Sequence, residues 1–183
     1  KVVHIITRLE LGGAQQNTLF TAEHLDPARF DVVLMAGQGG VLAAAPQGKP
    51  YRFVRVFGLV RSVRPWSDLL ALWHLWVLLR RERPDIVHTH SSKAGILGRT
   101  AAAAARVPIV VHTFHGFGFH SEQAAGVRAF YVALERAMAR LSTVLVAVSR
   151  ANRDEALARG IGRPGQYRLI RSGVDIALYT SIA

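Results

Sequence analysis

The sequence predicts an α/β protein built on an open, doubly wound, mainly parallel sheet of about seven strands. Short apolar, β-branched runs alternate along the chain with segments of helical pattern, the order expected of parallel strands joined by crossover helices. Several of these runs are apolar at successive positions, which suits strands covered on both faces. The 183 residues, 50% of them hydrophobic, suffice for one well-buried core and are too few for two ordinary domains.

Strands are expected at residues 2–7, 32–35, 52–56, 86–90, 109–113, 144–148 and 167–170. Helices fill the gaps. Residues 14–24 follow the first strand. Residues 67–83 form a helix with Ser67 or Asp68 as its cap and arginines in its last turn, matching the helix dipole; Pro84 stops it before the next strand. Ser91 or Ser92 caps a helix that runs to Ala105, and Pro108 separates it from the fifth strand. Residues 124–140 form a long helix with Val127, Phe130, Tyr131, Leu134 and Met138 at helical spacing. Ser149 opens a last helix, closed near Arg159 by Gly160 and Gly162. Residues 37–50, with four glycines and two prolines, read as a loop.

Composition removes several classes of function. With no cysteine there is neither a disulfide nor a thiolate metal site. The apolar stretch 69–79 contains His74 and ends in arginines, well short of the roughly 20 residues a membrane span needs. A cytoplasmic location is therefore expected. The net charge is +11, from 23 Lys+Arg against 12 Asp+Glu. Such a surface attracts polyanions, whether nucleic acid, anionic lipid or phosphorylated substrate. Only Lys1, Lys49 and Lys93 are lysines, so an arginine- and alanine-rich compositional bias accounts for the charge equally well.

Ligands of open α/β sheets bind outside the carboxyl ends of the strands, so the residues just after each strand carry the functional reading. After the first strand come Gly12 and Gly13, then a helix N-terminus that presents free amides. The pair serves either as a tight turn or as an anion cradle; the spacing matches neither a dinucleotide fingerprint nor a P-loop. After the fourth come Ser91, Ser92 and Lys93, either a helix cap with a solvated lysine or a site for a hydroxyl-rich or anionic ligand. After the fifth, residues 112–120 hold three histidines, three phenylalanines and two glycines. Their rings could wall a sugar, with Phe114, Gly116 and Phe117 as candidate contacts. Arg150 follows the sixth strand and can face the same cleft. Five of the eight histidines lie from His88 to His120. His88 and His90 share one strand face and His115 can approach them, as a polar catalytic loop or as histidines satisfied within a core. No zinc pattern and no nearby carboxylate accompanies them, so no metal is assigned.

The blocks Gly12-Gly13-Ala14, residues 83–95, residues 111–117, Val148-Ser149 and Gly173-Val174-Asp175 occur in order over nearly the whole chain. Together they resemble the N-terminal domain of family 4 retaining glycosyltransferases, most closely those that build capsular and extracellular polysaccharides. The resemblance implies a GT-B enzyme, two Rossmann-like domains around a cleft. Residues 1–172 would be the acceptor-side domain, and 173–183 the start of a hinge to a donor-binding domain that the sequence does not include. This half alone is expected to be inactive. The resemblance further implies a nucleotide-sugar donor, with Gly12 and Gly13 near its phosphates and His115 beside the transferred sugar and catalytic. Ser91, Ser92, Lys93, Phe114, Gly116, Phe117 and Arg150 would meet a glycan or lipid-linked acceptor. No cofactor is implied. Gln15 stands where the family often has glutamate, and Arg171-Ser172 where it has proline-asparagine. The helix with Trp66, Trp73 and Trp76 and a basic end suits peripheral contact with an anionic membrane, although its apolar side would equally pack on the sheet. Two other readings remain: half of a GT-B nucleotide-sugar 2-epimerase, or a basic nucleic-acid-binding module. No nucleic-acid motif is present and the arginines are dispersed.

Overall fold

The computed structural model describes residues 1–44, 48–120 and 122–173. Seven strands, β1 (Val2–Ile6), β2 (Val32–Ala36), β3 (Arg52–Arg55), β4 (Ile86–His90), β5 (Ile109–Phe114), β6 (Val144–Ala147) and β7 (Tyr167–Leu169), form one sheet. Their order is β3-β2-β1-β4-β5-β6-β7, and every pairing is parallel. Five helices connect them: α1 (Gly13–His24), α2 (Pro65–Glu82), α3 (Ser92–Ala105), α4 (Ala125–Arg140) and α5 (Arg150–Ala158). All seven expected strands form; β4 has the expected bounds and the other six differ by one residue at the carboxyl end. Part of the expected 37–50 loop is a 3₁₀ turn, Val41–Ala44. Val174 and Asp175, with the hinge expected there, lie outside the described residues.

The chain runs outward from β1 to β3, then jumps back to β4 and runs to β7. A right-handed crossover rule puts α1 on one face and the later helices on the other. The core follows that division. Leu19 and Ala22 of α1 pack on Ile6, Val32, Leu34 and Ala36. Ala71, Leu75 and Leu79 of α2, with Ala94, Ala101 and Ala102 of α3, pack on Val3, Ile5, Val33, Met35, Val87 and Val110. Val132 and Ala139 of α4 and Ala156 of α5 pack on Leu145 and Tyr167. Strands β1 and β2 are buried along their whole length, as successive apolar residues require.

Two helix starts differ from expectation. Helix α2 begins at Pro65, a residue preorganised for the first helical position. Asp68 lies in its first turn and accepts from the Arg64 amide at 3.2 Å. Ser91 stands at the N-cap of α3 with φ 64, and its side chain makes no capping bond. The capping oxygen comes from Thr7, just past β1: Thr7 Oγ1 accepts from the Ala94 amide at 3.2 Å and contacts Ser91 Oγ at 2.8 Å. Ser149 caps α5 as expected, accepting from the Asn152 amide at 3.1 Å.

Helix α4 departs further. Its apolar residues at helical spacing do not all face the core: Val127 and Phe130 are 48% and 63% exposed. The buried positions are Val132, Glu135 and Ala139. Glu135 goes inside because Arg99 of α3, with no exposed surface, meets it at 2.8 Å. That charge-assisted bond pairs the two ions, although Arg99 Nη1 finds no partner among the described residues, and it turns the more apolar stripe away from the core. Among the described residues no helix is long and apolar enough to cross a membrane.

Candidate functional site

Strands β1, β4 and β5 are neighbours, so the residues after their carboxyl ends converge on one edge of the sheet. There a cavity of about 690 Å³ opens. Its lining mixes polar side chains, among them Thr7, Gln15, Asp68, Ser91, Ser92 and Lys93, with the charged Arg8, Glu10 and Arg61 and the apolar Val63, Ile96, Leu97, Phe130, Tyr131 and Leu134. The stripe that α4 turns away from the core thus lines this hollow.

Ser91, Ser92 and Lys93 lie on the cavity wall together. Lys93 is not a freely solvated cation: its ammonium meets Asp68 Oδ1 at 2.5 Å and bonds the Ser62 carbonyl. Burial of both partners, at 15% and 19% exposure, keeps that pair less screened than a surface one. Glu10 similarly holds Arg8 at 3.0 Å and Arg61 at 3.4 Å.

Gly12 and Gly13 lie beside the cavity, at the start of α1, and do not line it. Gly12 has an extended φ of 177, and no acidic residue lies in the first turn of α1. A Cβ on Gly13 would meet nothing within 4 Å. Neither internal packing nor backbone conformation therefore demands glycine at Gly13, and the space above it stays open toward the free amides of the helix. Gly116 is likewise open. Arg150 is exposed at the first position of α5, beyond the cavity wall.

Phe114 is a correction. Its ring is 2% exposed and packs with Phe119, Val132, Ala139, Leu145 and Tyr167, so it is core and offers no face to a ligand. Phe117 is only partly buried and packs against the same cluster, its ring stacked on Phe119 at 4.6 Å. The aromatic loop is held together by its own rings.

His115 follows β5 and is partly buried next to, not on, the cavity wall. Its Nε2 is 3.2 Å from His90 Nδ1, and His90 Nε2 is 3.1 Å from His4 Nδ1. Burial pushes His115 and His4 down to about 4. His88, His90 and His112 fall well below the ordinary imidazole value for the same reason, reinforced by neighbouring charges. All five are neutral near neutral pH. His88 Nε2 bonds Thr113 Oγ1 at 2.7 Å, and His112 Nδ1 contacts Thr89 Oγ1 at 2.9 Å. His4, His88 and His90 each bring a ring nitrogen within 4.8 Å of the others. The facing nitrogens of His4 and His90 stand 3.1 Å apart, a spacing that a hydrogen bond between the two rings accounts for. The sequence reading missed His4, which lies inside an apolar run, and it took Asp68, Phe130 and Leu134 for structural residues.

The chain belongs to Glycosyltransferase Family 4, whose family model matches residues 11–178. It is similar to an Escherichia coli protein, UDP-Gal:alpha-D-GlcNAc-diphosphoundecaprenol alpha-1,3-galactosyltransferase: 36% identical over 176 residues, 96% of this chain and 45% of that one. It also resembles the capsular polysaccharide biosynthesis glycosyltransferase CapM of Staphylococcus aureus, 25% identical over 154 residues, 82% of this chain and 38% of that one. The chain thus spans less than half the length of these two relatives. Among solved structures, Anabaena Alr3699/HepE in complex with UDP and glucose superposes with a TM-score of 0.76 at 19% identity, over 98% of this chain and 46% of that one. At that identity the likeness speaks for the fold: a Rossmann-like parallel sheet of the kind found in GT-B enzymes.

Proposed function

We propose that this chain forms the acceptor side of an enzyme that moves a sugar from a nucleotide-diphosphate donor to a hydroxyl of a lipid-linked glycan, with retention of anomeric configuration. The observation that carries this reading is the mixed lining of the cavity. It lies at the carboxyl edge of the sheet, beside the α1 N-terminus, and is lined by both hydroxyl and charged groups and by apolar side chains. An acceptor that joins a hydroxyl-rich head to a lipid matches both kinds of lining; a free sugar matches only one. The lipid-linked acceptor named for the Escherichia coli relative supports the same class.

On this reading residues 1–172 are the acceptor-side domain, and a hinge toward a donor-binding domain begins at Gly173. The leaving diphosphate gathers negative charge as the sugar departs. The amides at Gly12, Gly13 and the first turn of α1 are fixed donors for that charge. His115, neutral and partly buried, hydrogen-bonds the transferred sugar. Ser91 and Ser92 orient the acceptor hydroxyl, and the Lys93–Asp68 pair offers it both a donor and an acceptor. Gly116 leaves room for close approach, while Phe117 and Arg150 border the acceptor's path. The reaction needs neither metal nor cofactor in this scheme, because fixed donors meet the charge.

The enzyme works at the cytoplasmic face of the cell membrane. Val63 and Phe130 on the cavity wall are 74% and 63% exposed, and Trp66, Leu69, Leu70 and Trp73 continue that apolar surface along α2 toward Arg80 and Arg81. Exposed tryptophans beside arginines complement an anionic bilayer surface.

His115→Ala in the full-length enzyme tests the scheme. A loss of turnover of roughly 100-fold or more is expected for removal of a positioned hydrogen bond at the reacting sugar; near-normal turnover refutes the role. Residues 1–183 by themselves should transfer nothing, and appreciable transfer by them overturns the two-domain cleft.

A further inference from the structure

We propose that His4 and His90 are positioning residues that set the tautomer of His115: the row His4–His90–His115 holds the His115 proton on Nδ1, so that His115 meets its ligand as a hydrogen-bond donor. The functional consequence rests on the transferase reading above; the tautomer itself does not.

The three rings lie head to tail. Their centroids are 5.4 Å apart for His4–His90 and 5.5 Å for His90–His115, with interplanar angles of 20° and 31°. The bonded nitrogens are 3.1 and 3.2 Å apart. Centroid spacings that exceed the nitrogen spacings by about two ring radii place the nitrogens between the rings, near both ring planes. That is the geometry of an N–H···N hydrogen bond. His88 lies tilted against both His4 and His90, at 5.1 and 4.1 Å between centroids, but its Nε2 is taken by Thr113 and it stays outside the row.

Each neutral imidazole has one N–H and one lone pair. Two bonds through His90 therefore couple the three rings, and only two arrangements satisfy both. With every N–H directed inward, His115 donates from Nε2, His90 donates from Nε2 and the last proton sits on His4 Nε2. With every N–H directed outward, His4 donates from Nδ1, His90 donates from Nδ1 and the His115 proton sits on Nδ1. The inner end decides between them, because His4 Nε2 is buried and without a partner among the described residues. The inward arrangement strands a buried N–H there; the outward one leaves only a lone pair. Buried orphan N–H groups are the rarer and costlier defect, so the outward arrangement prevails. His115 Nδ1 makes no hydrogen bond among the described residues, and its proton remains available to a ligand oxygen. The residue that orients the sugar is thereby fixed as a donor from a point two rings deeper in the sheet.

Long-range ¹H–¹⁵N correlation spectra of histidine-labelled full-length protein at neutral pH test this, with His115 assigned by its disappearance in His115→Ala. The expected result is a pyrrole-type Nδ1 on His4, His90 and His115, with ¹⁵N–¹⁵N coupling across both contacts. In His90→Leu, His115 should return toward the Nε2–H form that a free imidazole prefers. A wild-type His115 protonated on Nε2 overturns the proposal, and so does an unchanged Nδ1–H tautomer in His90→Leu. Should that variant fail to fold, the wild-type spectrum decides alone. Normal turnover in His115→Ala would refute the catalytic role and leave the tautomer result standing, so the two failures are separable.

Discussion

Acidification from about pH 7 to about pH 5 should remove much of this domain's stability through its buried histidines. His4 and His112 are 1% exposed and His90 is fully buried, and burial holds all three below the ordinary imidazole value of 6.5. The unfolded chain therefore binds more protons than the folded one, and stability rises with pH across this range. The contribution is complete above the unfolded value and is lost as pH falls through it toward the folded one, which for His4 is about 4. Because the folded imidazoles stay largely neutral down to about pH 5, the size of the loss is set mainly by the unfolded state. It is about 1.8 kcal/mol per histidine between about pH 7 and about pH 5. Three histidines give roughly 5 kcal/mol, against a total of about 5–15 kcal/mol for a typical domain. Urea unfolding at intermediate pH values measures this directly. The pH slope near about pH 5.5 should correspond to at least three protons, with His88 and His115 adding to it in the same direction, and His4→Leu should lower it by about one. A flat profile from pH 7 to pH 5 refutes the reasoning, since it would mean that these rings are as easily protonated folded as unfolded. Glu82, lowered by Arg52 and Lys1 against the cost of its own burial, adds a loss in the same direction only at more acid pH.

Glu135→Leu should cost about 3–5 kcal/mol in denaturant unfolding, because it leaves the Arg99 guanidinium buried without its counter-charge; the double variant with Arg99→Met should recover most of that. Gly13→Ala should change stability by no more than about 0.5 kcal/mol, since its Cβ enters open space. In the full-length enzyme it should weaken nucleoside-diphosphate binding, and unchanged affinity in calorimetry would remove Gly13 from the phosphate site. Flotation with anionic vesicles at low salt should carry the full-length protein, and Trp66→Ala with Trp73→Ala should abolish it. No binding by the wild type would dismiss the membrane surface.

Local pattern made the sheet legible. Runs such as Val32, Val33, Leu34 and Met35 are β-branched or apolar at consecutive positions, and only a strand covered on both sides uses them that way. Ser149 was readable as a cap because its partner amide is three residues away. The Thr7 cap on α3 was not readable, because the bond spans 87 residues. Helix α4 was placed from the sequence, but its orientation was not. Periodicity identifies an apolar stripe without saying whether core or ligand covers it, and the buried Glu135 is explained only by Arg99, 36 residues away. Phe114 was read as a ligand contact because its loop is rich in rings; the core beneath that loop claims it.

By itself the sequence determined the class of fold, the identity of the strands and the edge of the sheet at which Gly13, Ser91, Lys93 and His115 gather. Those properties follow from short-range periodicity and from a rule that ties ligand sites to strand ends. Only the tertiary structure decided which of these side chains share a hollow, which charge neutralises Lys93, and that His4 and His90 stand in line behind His115. Such pairings join residues tens of positions apart, and their energy depends on distance and burial, which appear only once the chain has closed around them.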